Sequence, residues 1–105
     1  MSLAPVIALA MRKRHIKKAL QNGAVVVAIR EPHEFDNGHA AGAINIPKLN
    51  IAANIEKLQQ LNRSLLICGP FAFGCIGTVG LLRSYGFTVT NGGNWRRVSS
   101  VQQSL

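Results

Sequence analysis

Ser64-Leu65-Leu66-Ile67-Cys68, then Gly69-Pro70-Phe71-Ala72-Phe73-Gly74, then the run from Cys75 to Tyr85 read in order as a buried strand, a loop and a helix. The first five residues are a short, mostly apolar run of the kind a parallel strand shows when both of its faces are covered. Gly86 stands where a left-handed residue closes a helix. A second such run, Ala24 to Ile29 (AVVVAI), lies upstream and is rich in β-branched residues. Working outward, Pro5 to Leu9 reads as a short first strand. Arg12 to Gln21 reads as a helix with Ile16, Ala19 and Leu20 on one face and Asn22-Gly23 as its stop. Pro32 takes a turn or first helical position, and Ala43 to Ile46 is a short strand ended by Pro47. Ile51 to Leu61 is a helix with Ile51, Ile55, Leu58 and Leu61 on one face. Phe87 to Thr90 is a strand, Gly92-Gly93 a tight turn, and Trp95 to Gln103 a last helix. Alternating strands and helices predict an α/β domain with a mainly parallel sheet.

The 105 residues suffice for one core and not two, so residues 1–105 are expected to form a single domain. Nearly half of the residues are apolar and 15% are charged, which excludes a disordered tail. No apolar run approaches the ~18 residues of a membrane span, and positive charge follows rather than precedes the apolar stretch from Leu3 to Met11, unlike a secretory leader. No membrane association is expected. Twelve basic residues against four acidic ones give a net charge of +8. Arg12, Lys13, Arg14, Lys17 and Lys18 crowd one helix, as a solvated face or as a docking patch for an acidic partner. Nothing interleaves aromatics with that charge, so nucleic acid is not expected. Cys68 and Cys75 are too few for a disulfide scaffold, and their C-x6-C spacing suits no usual zinc pair. Neither a metal nor a cofactor is expected, and a reducing, cytoplasmic setting is.

In a parallel sheet, sites form beyond the carboxyl ends of the strands. Two segments lead there, after Ile29 and after Ile67, and the second carries Cys68. Loop amides and a helix N-terminus beside a cysteine both favour its thiolate, the nucleophilic form. Cys75 is either a small buried residue opening the helix or a second thiol able to pair with a reactive Cys68.

Ile29-Arg30-Glu31-Pro32-His33-Glu34-Phe35 and Gly38-His39-Ala40-Ala41-Gly42-Ala43-Ile44-Asn45-Ile46-Pro47 resemble the rhodanese-like domain family. Leu65 to Cys68, Arg83 to Phe87 and Asn91 to Trp95 are similar to its later segments, so the resemblance runs from about residue 7 to residue 96. It implies a three-layer domain with helices on both sheet faces. It also implies a sulfurtransferase reaction, in which Cys68 takes sulfur from a donor such as thiosulfate and passes it to cyanide or a thiol. Gly69, Pro70, Phe71, Ala72, Phe73, Gly74 and Cys75 match the loop that holds the persulfide, with Arg30, His39 and Trp95 as supporting residues. His39 is expected to bond its own turn, Arg30 to pair with Glu34, Trp95 to lie near the pocket mouth, and Gly77 and Gly80 to let their helix pack closely. Phe71 and Phe73 either cover the loop or form an apolar rim.

The departures from the family pattern are specific. The loop has no cation, Pro70 removes an amide donor, and Ala28 replaces a customary aspartate. The segment from Cys68 to Gly86 is one residue longer than in small members, as in phosphatase relatives, but the arginine those need is missing. Three functions follow, in order of preference: a sulfurtransferase or persulfide carrier weak toward thiosulfate, a non-catalytic binding module, and a Cys68/Cys75 dithiol redox protein.

Overall fold

The computed structural model describes residues 2–71 and 73–105; Ala72, placed by sequence in the active loop, lies outside the described residues. The elements in chain order are α1 (Ala4–Gln21), β1 (Val25–Ala28), α2 (Pro32–Asp36), β2 (Ile44–Asn45), α3 (Ile55–Gln60), β3 (Leu65–Gly69), α4 (Ile76–Ser84), β4 (Val89–Asn94) and α5 (Trp95–Gln103). Two 3-10 turns, Lys48–Asn50 and Ala52–Asn54, precede α3. The four strands pair in the order β2-β1-β3-β4, and every pairing is parallel.

All five residues of β3 are buried. Alternation along the strand sorts its side chains into two cores. Leu65 and Ile67 join Val27, Ile51, Ile55, Leu58, Val79 and Leu82 on the α3/α4 face. Leu66 and Cys68 join Val26, Ala28, Ile16, Ala19, Val98 and Val101 on the α1/α5 face. The predicted three-layer α/β arrangement is therefore the one found. Full burial of side chains such as Leu65, Leu66 and Ile67 contributes roughly 1.5–3 kcal/mol each.

Several local expectations are corrected. Pro5 to Leu9 is not a strand but the start of α1. Pro5 occupies the first helical turn, where its missing N–H costs nothing, and alanine, leucine and methionine, which favour helix, outnumber Val6 and Ile7 in the run around it. The helix expected over Ile51 to Leu61 opens instead as 3-10 turns and becomes α-helical only at Ile55. Gly92-Gly93 is not a turn: both residues lie within β4, which runs on to Asn94. There the β3–β4 ladder slips, with Ile67 opposite Asn91 and Cys68 opposite Gly93, so that Gly92 is an extra residue in a bulge. A Cβ on Gly92 would meet Val98 Cγ2 at 2.9 Å and the Ile67 carbonyl oxygen at 3.0 Å. Gly77 and Gly80 do not mediate close packing, since a Cβ at either would meet nothing within 4 Å.

These contrasts predict opposite outcomes for two alanine substitutions. Gly92→Ala should cost about 1–3 kcal/mol through overpacking of a bulge that has no room, a fall in melting temperature of roughly 4–8 °C per kcal/mol. Gly77→Ala should leave the midpoint unchanged or raise it, because alanine exceeds glycine in helix propensity by about 0.8–1.0 kcal/mol. Thermal unfolding followed by circular dichroism checks both; a neutral Gly92→Ala would contradict the close approach.

Candidate active site

Cys68 lies at the carboxyl end of β3, between Ala28 of β1 and Gly93 of β4. The bulge at Gly92 sits directly beside it. Its sulfur faces the α1/α5 core and is fully buried. Burial pushes its thiol up to about 12, the nearby Cys75 adds to the rise, and the Arg30 charge opposes it. The expected thiolate bias is thus reversed in this state. Strand alternation sends Sγ into an apolar layer, where desolvation outweighs the helix terminus.

Cys75 is the N-cap residue of α4 and is also fully buried. Its thiol donates to the Gly93 carbonyl at 3.6 Å, and burial pushes it up to about 11. It belongs to the α3/α4 core, whereas Cys68 belongs to the α1/α5 core. Both cysteines are free. The two side chains belong to different core clusters, yet they lie near enough for Cys75 to raise the Cys68 thiol.

Between them runs the loop from Pro70 to Gly74. Phe71 and Phe73 are exposed, at 62% and 76%, so they form a rim and not a packed cover. The Gly74 amide donates to the Phe71 carbonyl at 3.3 Å, and a Cβ on Gly74 would press on the Phe71 ring. Gly69, placed by sequence in the loop, still belongs to β3. Beside Phe73 a cleft of about 270 Å³ is lined by Arg12, Ile76, Asn91, Gly93 and Arg97. The loop itself has no cation, but α1 and α5 each bring a guanidinium to its edge.

Arg30 is the most constrained polar side chain of the site, only 7% exposed. It forms no ion pair with Glu34, contrary to expectation. Its guanidinium donates to the backbone carbonyl of Glu34 at 2.7 Å and to that of Gly38. It also lies over the Trp95 ring, 4.8 Å from the centroid, with Arg96 at 4.7 Å. Among the described residues its Nε is the buried side-chain polar atom left without a partner. Trp95 closes against Gly38, whose Cβ position lies 3.2 Å from the indole. His39 does what its turn requires: Nδ1 donates to the Phe35 carbonyl at 2.7 Å, and its ring stacks on Phe35 at 3.7 Å. Asn45, not singled out from sequence, donates to the carbonyls of Ala28 and Arg30 and so ties together the end of the sheet where Ala28 replaces a carboxylate. Its place in the Ile44-Asn45-Ile46-Pro47 run was the available signal.

A four-stranded parallel α/β domain with a cysteine at the carboxyl end of a central strand defines the class. The rhodanese-like domain family model matches residues 13–93, and the chain belongs to that family. Two solved structures share the fold. The reduced CoADR-RHD of Bacillus anthracis is 22% identical, with a TM-score of 0.70 over 88% of this chain and 16% of its own. SSP1007 of Staphylococcus saprophyticus is also 22% identical, with a TM-score of 0.65 over 78% of this chain and 84% of its own. The chain thus spans about a sixth of the length of the first. No curated protein matches it.

The raised thiols set a pH dependence. A group whose folded pKa lies above its unfolded value favours the folded state while protonated. That stability is fully present below pH 9.0, the ordinary cysteine value, and for Cys68 is lost as pH rises toward about 12. Stability against urea should therefore fall above pH 9.0, by up to about 1.4 kcal/mol per pH unit for this thiol. A Cys68→Ala variant should show a correspondingly shallower decline, and parallel declines in the two proteins would remove Cys68 as the cause.

Proposed function

We propose that the domain carries sulfane sulfur as a persulfide on Cys68. What carries the reading is the position of Cys68: it stands next to the last residue of β3 at the carboxyl edge of the sheet, just before the loop in sequence and within the field of a buried Arg30. The deprotonated sulfur attacks the outer sulfur of a donor. The donor's S–S bond breaks, its remainder leaves as a thiolate or sulfite, and a new S–S bond forms on Cys68. An acceptor thiolate then takes that outer sulfur and returns the Cys68 thiolate. The terminal sulfur stands ~2.05 Å beyond Sγ, a reach that helps a recessed cysteine meet its acceptor. Loading requires Cys68 to become accessible, because its side chain is fully buried against the α1/α5 layer. Neutral or protein-bound persulfides are the preferred donors and a thiol the acceptor. Thiosulfate, a dianion, is poorly held by a loop without a cation; one missing charge-assisted contact lowers affinity by about ten- to a hundredfold. Two free cysteines fit a reducing, cytoplasmic setting.

A second reading, a binding module without turnover, draws on the full burial of Cys68 and on the exposed Phe71 and Phe73. The dithiol reading is weaker, since the two sulfurs point into different core layers.

Intact mass after incubation with polysulfide, and separately with thiosulfate, distinguishes these functions. A carrier gains one sulfur from polysulfide, removable by reductant, and far less from thiosulfate. Cys68→Ser should abolish loading and Cys75→Ser should retain it. Failure of the unmodified chain to take up sulfur under either condition would leave the binding module as the better reading, and loss in both variants would revive the dithiol.

A further inference from the structure

Helix α1 (Ala4–Gln21) begins about three turns before the part of the chain that packs on the sheet. Its first core residue is Ile16, and Ala19 follows. Upstream, Leu3, Val6, Ile7 and Met11 are 69%, 65%, 55% and 53% exposed. Residues 3–11 contain no charged residue and no polar side chain, so the projecting end is apolar around its circumference rather than along one stripe. Five cations follow within seven positions, and no acidic residue occurs before Glu31. Consecutive helical positions turn by about 100°, so Arg12, Lys13 and Arg14 point in three directions. Arg12 lines the cleft beside β4. Lys13, Arg14 and Lys17 line a groove of about 340 Å³ against Ser100, Val101 and Ser104 of the α5 side. The result is an apolar helix end with a cationic collar on both flanks.

We propose that this end of α1 docks the domain on an anionic membrane surface, with residues 3–11 among the acyl chains and the collar among the phosphates. This goes beyond sulfur transfer and does not depend on it. The occupant follows from the geometry. A protein groove covers one face of a helix, whereas lipid surrounds it. A second copy would bring an identical set of five cations against the first, but anionic headgroups complement them. The apolar segment is about 14 Å long at 1.5 Å per residue, close to half of the ~30 Å hydrocarbon core. It therefore suits one leaflet, and among the described residues no helix is long and apolar enough to cross. The expectation of no membrane association rested on the lack of a spanning segment; a surface anchor has no such length requirement.

Co-sedimentation with vesicles tests this. The chain should bind vesicles of phosphatidylglycerol and phosphatidylcholine and leave them as salt is raised. It should bind phosphatidylcholine alone at least about tenfold more weakly, since each near-surface cation is worth about fivefold. Ile7→Glu, and separately the pair Lys13→Glu with Arg14→Glu, should each lower binding by more than about tenfold. Both act at exposed positions and should leave the thermal midpoint and Cys68 sulfur loading unchanged. No binding to either vesicle, or equal binding to both at low and high salt, overturns the proposal. So does concentration-dependent dimerisation abolished by Ile7→Glu, or retention by an acidic peptide without vesicle binding. Salt release of the unmodified chain needs no variant, so the test stands even if a variant fails to fold.

Discussion

The alternation of side chains along β3 is the constraint from which the rest of the molecule follows. Leu65 and Ile67 commit one face of the sheet to α3 and α4, while Leu66 and Cys68 commit the other to α1 and α5. A slip of one residue would exchange the two cores and turn Cys68 toward the opposite layer. The bulge at Gly92 is the local adjustment that lets β4 stay paired beside Cys68 while Val98 closes over it. The same register sets the chemistry of the cysteine, since the layer it enters is apolar and burial there favours the protonated thiol.

Arg30 organises the sheet's carboxyl edge in a different way. Two backbone carbonyls and an indole face hold its guanidinium, and the indole also carries Arg96. The segment after β1, the turn at Gly38 and the start of α5 are thereby fixed to one side chain. A positive charge is placed in the field of Cys68 without any cation in the loop. In a sheet of this kind the two central strands deliver their following segments to the same edge, and here one delivers the thiol and the other the charge.

Much of this was legible from residue patterns. The runs AVVVAI and SLLIC gave β1 and β3 because fully buried parallel strands leave a continuous apolar signature. Trp95 to Gln103 gave α5 to the residue, and Gly23 and Gly86 adopt the positive φ expected after their helices. Pro5 to Leu9 was misread because a short apolar run has no period by which to separate strand from helix; the absence of a partner strand decided it. Gly92-Gly93 was misread because two glycines signal a turn and a bulge equally well, and only the proximity of Val98 and the Ile67 carbonyl shows why the first of them is glycine. The ionisation of Cys68 was misjudged for a related reason. Its place at a strand end was readable, but the direction of its sulfur depends on register, which no single segment encodes. Asn45 and the Arg30–Trp95 stack depend on residues brought together from separate segments.

The α1/α5 core joins the two ends of the described chain. Ile16 and Ala19 cannot be covered until Val98 and Val101 arrive, more than seventy residues later. During synthesis from the ribosome the α3/α4 layer can assemble first, because its members between Val27 and Val89 have already emerged. The layer that encloses Cys68 is sealed by the last helix. Until then the nascent chain presents an unsealed thiol and an uncovered sheet face, so a chain stalled before Val98 is exposed to oxidation and to aggregation at the residues that later protect it.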